Sequence, residues 1–299
     1  MGLQICANHP QMTYYLFLAL GFLFLSELIR AATGKTPWKH FLISSGVLGL
    51  ALILGVGMNS QRLLANSEYV KETIRGKQIL KSEHNSKDDD GMKKQEILNW
   101  SYGKLETLNL FIPRLLGGSS TEEVSDDFKK ELRASLESQT DDEEQIQAVF
   151  DQVANGVPMY WGDQPGTSGP AYQGAIVVFL AILGFFFAWK KYRYWILGAS
   201  ILTILLAWGS NFLPLSDLFI DYVPLYNKFR APSSILVVVE LLFPLMAIIG
   251  LYRFYNDEKL TEEYKQKILL YVGGSVLGIT LLIILFAKSL FGFEGAAET

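Results

Sequence analysis

The chain has 299 residues, an apolar fraction of 50% and a formal net charge of −4. A mean hydropathy of +0.22 hides a split: residues 59–170 hold 13 Lys/Arg against 20 Asp/Glu, and the rest of the chain holds 13 against 10. Cys6 is the only cysteine, which excludes a disulfide scaffold, and His9, His40 and His84 are too scattered for a zinc or iron–sulfur site. No basic stripe exists to bind nucleic acid, and no phosphate-loop, dinucleotide or nucleophile-elbow motif is present.

A bilayer-spanning helix needs about 20 mostly apolar residues. Six segments qualify in chain order: Met12–Arg30, His40–Met58, Ala171–Trp189, Trp195–Phe212, Ser234–Phe254 and Ile268–Phe291. Aromatics at their ends, such as Tyr14, Trp38, Trp189 and Trp195, form interfacial belts. The expected architecture is all-α and polytopic, with about six transmembrane helices, an external helical insertion and a re-entrant or interfacial helix. Residues 1–58 supply two spans, 59–170 a long loop, and 171–299 four spans with a re-entrant loop at 212–233.

Short-loop charge sets the orientation. Arg30, Lys35 and Lys39 follow the first span, Lys190, Lys191 and Arg193 the third, and Arg253, Lys259, Lys265 and Lys267 the fifth. All fall on one side, read as cytoplasmic. Both termini and the long loop then lie outside the cytoplasmic membrane. An N-terminus translocated with nothing ahead of it reads as the middle of a longer membrane protein.

The long loop has distinct parts. Asn59–Lys81 has helical composition, and Ser82–Lys94 is charged and poor in apolar residues. Its triplet Asp88–Asp90 lacks a framework of oxygen ligands and is read as solvated, so no metal is expected. Asn99–Lys104, Glu106 and the apolar run Leu108–Leu116 are too short to span and are expected to lie at the interface or to dip in against other helices. Ser120 with Glu123, and Thr140 with Glu143, match the capping-box spacing. They predict helices over Glu122–Glu137 and Asp141–Val153, a solvated hairpin whose acidic face is a lesser candidate for partner binding. Tyr160–Pro170 is forced into turns by Gly and Pro. Its Trp161 and Asp163 suit a sugar, and the same segment also suits an interfacial loop anchored by Tyr160 and Trp161.

Four polar clusters fall on the expected outer side: Asn8–Gln11, Arg75–Gly76, Trp100–Gly103 and Tyr226–Pro232. Their coincidence suggests one shared site. The last follows Phe212–Tyr222, an apolar stretch flanked and interrupted by prolines and expected to be re-entrant or interfacial. Lys228 and Arg230 break the positive-inside pattern. A phosphate-linked donor or an anionic headgroup would explain them, and so would snorkelling onto outer lipids. Glu240 is a carboxylate near the start of a span, a candidate for binding a sugar hydroxyl, for pairing with Arg230 or for bonding another helix. Gln11, Asn227 and His9, the last a candidate base, complete the set.

At these residues the chain resembles the YfhO family of bacterial multi-spanning membrane proteins, in its Bacteroidetes form. The matching stretches are GLQICANHPQMTYYL, ANSEYVKETIRGK, NWSYGKLETLNLFIPRLLGGSS, YWGDQPGTSGPAYQGAIVVFL and DYVPLYNKFRAPSSILVVVE. The resemblance implies a GT-C-type glycosyltransferase that takes a sugar from a polyprenyl-phosphate carrier and moves it to an envelope glycan, lipid or protein. Such a protein meets membrane lipids and no nucleic acid. Arg230 and Lys228, then Arg75, are the residues expected to neutralise the leaving phosphate. Trp100, Tyr102 and Trp161 would shape a sugar or lipid surface, and Asp163 and Glu240 would bind hydroxyls. Members of the family are longer, and no residue here matches the acid that GT-C enzymes place in their first external loop. The rival class is non-enzymatic: a transporter or flippase-like segment, or a scaffold.

Overall fold

The computed structural model describes residues 2–76, 91–123, 125–140, 142–154 and 156–290. The Asp88–Asp90 triplet, His84 and the Lys77–Lys81 end of the expected helix lie outside the described residues. In chain order the α-helices are α1 (Gly2–Cys6), α2 (Pro10–Ala32), α3 (Trp38–Met58), α4 (Ser60–Lys71), α5 (Lys94–Ile97), α6 (Asp126–Gln139), α7 (Glu143–Ala154), α8 (Ala175–Phe187), α9 (Lys190–Ala207), α10 (Leu213–Tyr222), α11 (Val237–Asn256) and α12 (Glu262–Leu290). Short 3-10 turns lie at Leu105–Leu110, Gly209–Phe212, Tyr226–Lys228 and Pro232–Leu236. Among the described residues there is no β-strand, only the isolated bridges Gly117–Tyr160 and Glu122–Val157. The protein is an all-α polytopic membrane protein.

Among the described residues four helices are long and apolar enough to cross a bilayer: Pro10–Ala32, Trp38–Met58, Pro232–Asn256 and Glu262–Ala287. A fifth is reached if α9 and the bent segment Gly209–Tyr222 count as one span, with a turn of 113° between them. The expected six are therefore not all matched. The third expected span, Ala171–Trp189, contracts to the 13 residues of α8. At 1.5 Å per residue it is about 20 Å long, short of a hydrocarbon core of about 30 Å. Gly174, at φ 98°, delays its start, and α9 begins a new helix immediately after Trp189. Pro214 does not break α10: it occupies the first turn, where its missing N–H costs nothing. Side chains such as Val47 (64% exposed) and Ile53 (70%) on α3 face outward. In water a surface of that kind would aggregate, whereas in lipid it is the solvated face.

The chain divides into two compact units. The first comprises Met1–Tyr102 and Ile176–Gly274. In it α9 packs on both α2 and α11. A Cβ on Gly250 would strike the Cα of Gly184, and a Cβ on Gly184 would strike the Met246 carbonyl. Only hydrogen side chains let α8 and α11 approach so closely, the device membrane helices use where lipid provides no hydrophobic drive to associate. Two arginines cap the end of α8. Arg193 donates to the carbonyls of Phe186 (2.6 Å) and Ala188 (2.9 Å), and Arg253 donates to that of Phe187 (2.9 Å). These cations satisfy carbonyls that the helix end leaves open.

The second unit comprises Gly103–Ala175 and Ser275–Thr299. Both expected hairpin helices form, with shifted starts. Ser125, not Ser120, caps α6 by accepting from the Phe128 amide at 3.3 Å. Asp142 Oδ1 accepts from the Glu144 and Gln145 amides at the start of α7. Ser120 bonds elsewhere: its hydroxyl accepts from the Thr167 amide at 2.8 Å, and its own amide donates to the Thr167 carbonyl. The capping-box spacing was matched by chance, because Ser120–Glu122 is drawn into an extended bridge with Val157. Arg133 ties the hairpin together, reaching Glu137 on its own helix (3.0 Å) and Glu143 on the next (2.9 Å). A 3-10 turn over Leu105–Leu110 starts the run Leu108–Leu116 and buries Glu106, Asn109 and Leu110.

Arg114 holds Glu122 from both carboxylate oxygens at 2.8 Å, and the Ser119 amide adds a bond. The guanidinium, chiefly, keeps the Glu122 carboxyl below its ordinary 4.5. A carboxyl lowered on folding contributes stability that is fully present above 4.5 and is lost as pH falls below 4.5 and through the lowered folded value. Amide-exchange protection of Ser119, corrected for intrinsic rates, should therefore fall on acidification below that value. Glu122→Gln should lower protection at neutral pH and remove the acid-induced fall. A fall of equal size in the variant would discount the ion pair as its source.

Candidate functional site

Segments from all four polar clusters meet in the first unit. Gln11, in the first turn of α2, places its amide nitrogen within reach of three oxygens: the Arg230 carbonyl (2.6 Å), the Tyr15 hydroxyl (2.7 Å) and the Ser234 hydroxyl (2.9 Å). With two hydrogens to donate, it is shared among them. Tyr14 donates to the Pro224 carbonyl at 3.0 Å and packs its ring on Phe229. Asn8 accepts from Asn66 of α4 at 2.8 Å. The Tyr226–Pro232 segment is thus bound to the start of α2 from several sides.

Arg75 and Lys228 bind each other's backbone. Arg75 Nε donates to the Lys228 carbonyl at 2.9 Å, and Lys228 Nζ donates to the Arg75 carbonyl at 2.8 Å. The Asn227 carbonyl accepts from the Met92 amide at 3.1 Å. Arg230 is exposed, and its guanidinium stands 5.9 Å from the Trp100 ring centre, a cation–π distance. The Trp100 carbonyl accepts from the Ser233 amide. Tyr102 donates its amide to the Ala207 carbonyl at 2.8 Å, and Asn211 donates to the Tyr102 carbonyl at 3.1 Å. Ser101 accepts from the Ser210 amide at 2.8 Å. Residues Trp100–Tyr102 are therefore bonded into the corner where α9 ends.

Four non-glycine residues in these segments have left-handed backbones: Asn8 (φ 55°), Trp100 (59°), Leu225 (67°) and Ala231 (58°). Each costs of order 1–3 kcal/mol and persists only where surroundings over-determine it. Ala231 and Trp100 lie beside Arg230, so the strain is spent holding the cation and the indole in place. Burial pushes the Tyr226 phenol well above its ordinary range, which keeps it a neutral hydroxyl.

Other sequence candidates are placed differently. Tyr102 is 1% exposed, so it is a packing residue and offers no ring face to a sugar. This corrects its expected role. His9 is exposed before α2, where its carbonyl accepts from Thr13. Glu240 is exposed in the first turn of α11. Trp161, half-buried, and Asp163, exposed, belong to the second unit.

The second unit contains a cluster that sequence reading missed. Glu106 is 1% exposed. One of its oxygens accepts from the Gly103 amide at 2.5 Å; the other accepts from the Tyr160 hydroxyl and, at 3.4 Å, from Gln164. The Tyr160 hydroxyl also accepts from the Gln164 amide at 3.0 Å. Burial and the carboxylate raise the Tyr160 phenol far above its ordinary value. A Cβ on Gly162 would collide with both Glu106 and Tyr160, so glycine is required for the loop to close over them. The one sequence signal was a carboxylate set among the leucines of residues 105–116.

Among the described residues no group of His, Cys, Asp and Glu is arranged to hold a metal ion. Comparison with known protein families, curated proteins and solved structures finds no match to this chain.

Proposed function

We propose that the protein is part of a GT-C-like membrane glycosyltransferase. It moves a sugar from a polyprenyl-phosphate donor to an envelope acceptor at the outer face of the cytoplasmic membrane, with the 59–170 loop and both termini external. The observation that carries this reading is the exposed Arg230 guanidinium over Trp100, at the head of a span and beside Lys228 and Arg75. A guanidinium binds phosphate oxygens in pairs, and an indole face accepts the C–H face of a sugar or an isoprenoid. Transfer breaks the bond between the sugar's anomeric carbon and the phosphate oxygen, and forms one to an acceptor hydroxyl. The leaving phosphate gains charge, which Arg230 stabilises with Lys228 behind it. The acceptor's proton passes to a base, for which His9 is the candidate. Gln11 and Asn227 position the loop, and Trp161, Asp163 and Glu240 are assigned to binding. The resemblance to the YfhO family points the same way.

A transporter is the second reading, favoured by the 113° break after α9, since broken helices mark transport sites. The polar groups gather at helix ends and not at mid-span, which favours chemistry at the surface. Membranes carrying the protein, given a radiolabelled sugar on polyprenyl phosphate, should label envelope material. Accumulation of label inside sealed vesicles without transfer would replace the first reading by the second.

A further inference from the structure

A second cationic site lies at the other end of α2. Gln11 and Arg30 are nineteen residues apart on this helix, about 28 Å along its axis. That matches the thickness of a hydrocarbon core, about 30 Å. At the Arg30 end an open cleft of about 510 Å³ lies between α2 and α9. Its rim carries Arg30, Lys35 and Lys190, and its wall runs along Phe22, Leu25 and Ile29.

The charge there is not balanced from within. Among the described residues Arg30 has one acidic partner, Glu27, whose carboxylate stands 3.4 Å from its Nε outside hydrogen-bonding geometry, so one carboxylate faces the three cations of the cleft. Among the described residues the Lys35 and Lys190 ammonium groups make no hydrogen bond or ion pair, and both residues are exposed. The Trp195 indole N–H, also in the lining, is buried with no acceptor. The first turn of α9 adds open amides, because Trp189 contributes no side-chain cap. In a cleft of about 410 Å³ lined by Trp189 and Arg253, the arginine is held more closely, hydrogen-bonded to Asp257 at 2.7 Å.

We propose that the α2–α9 cleft is a binding site for an anionic phospholipid. The phosphodiester sits among Arg30, Lys35 and Lys190, the Trp195 N–H supplies a donor below it, and an acyl chain lies along Phe22, Leu25 and Ile29. Charge complementarity selects the headgroup, and the apolar wall selects a lipid over a free anion. The apolar side chains remain exposed in the protein alone (Leu25 51%, Ile29 54%), as a lipid-facing wall requires. The site is independent of the proposed sugar chemistry at the opposite end of α2.

The test is native mass spectrometry of the delipidated full chain in detergent, titrated with phosphatidylglycerol or with phosphatidylcholine of the same acyl composition. Preferential retention of phosphatidylglycerol is expected. Each lysine near an anionic headgroup is worth a factor of about five, so Lys35→Gln with Lys190→Gln should cut the preference roughly thirtyfold. Circular dichroism checks that the double variant keeps its helices. If it does not, Lys190→Gln alone, an exposed change, should cost about fivefold. Equal retention of the two lipids, an unchanged preference in the variants, or full displacement by millimolar inorganic phosphate would each overturn the proposal. The last result would mark a site for free anions.

Discussion

Arg230→Ala is expected to lower sugar transfer by roughly 10²–10³-fold while leaving the protein in the membrane at its normal level. That is the usual scale for removing one donor aimed at charge developing in a transition state. The side chain is exposed, and its one described partner is the Trp100 ring, so truncation leaves no buried group unpaired. The loop itself is held through the Arg230 carbonyl by Gln11, a contact that alanine preserves. Loss of activity would therefore report on the cation and not on the fold. Arg230→Lys should retain part of the activity, because an ammonium keeps the charge but not the paired donors. Lys228 and Arg75 are poorer test positions. Each bonds to the other's backbone, so alanine at either site loosens the loop as well as removing charge. Transfer by Arg230→Ala at the wild-type rate would remove this residue from the site and with it the main support for phosphate chemistry there.

Glu106→Ala should destabilise the second unit by about 2–5 kcal/mol, because two buried donors lose their acceptor at about 1–3 kcal/mol each. The Gly103 amide and the Tyr160 hydroxyl would both lose their acceptor in a place water does not reach. Tyr160→Phe, which removes one of the bonds but fills the same space, should cost less. Limited proteolysis of the full chain gives a direct readout. Cleavage within residues 103–175 should accelerate in Glu106→Ala, and cleavage of the 213–234 segment should not change. Equal protection of wild type and variant would mean that the carboxylate is dispensable and the loop is held by other contacts.

How much of this was legible beforehand differs from residue to residue. The spans Met12–Arg30, His40–Met58 and Ser234–Phe254 reappear as α2, α3 and α11 with their flanking turn, to within a few residues at most ends. The expected span at Ala171–Trp189 did not reappear at full length, because Gly174 and the new start at Lys190 cut an apolar run that hydropathy alone reads as continuous. The hairpin helices were expected, but their caps were assigned to the wrong residues. Ser120 and Ser125 both carry hydroxyls suited to capping, and the bond between Ser120 and Thr167 decides between them. The meeting of Gln11, Arg75, Trp100 and Lys228–Arg230 was suggested by their shared side of the expected topology. Which atoms touch was not: Arg75 and Lys228 bond to each other's carbonyls and are not aimed together at open solvent.

The division follows from the range of the forces involved. A run of about 20 apolar residues is a local property, and a bilayer reads it without reference to the rest of the chain. The membrane class, most of the spans and the expectation that Arg30, Lys35 and Lys190 share one side therefore follow from residue order, whereas their meeting in one cleft needs α9 to pack on α2. The buried site of Glu106 has no local signature. Its partners Tyr160 and Gln164 are 54 and 58 residues away, and only chain closure through Gly162 brings them within bonding distance. The same holds for the Gly184–Gly250 contact, where a missing side chain matters only because another helix lies against it. Tertiary structure decides which polar groups are buried and paired, because burial and pairing are properties of neighbours that sequence separation does not reveal.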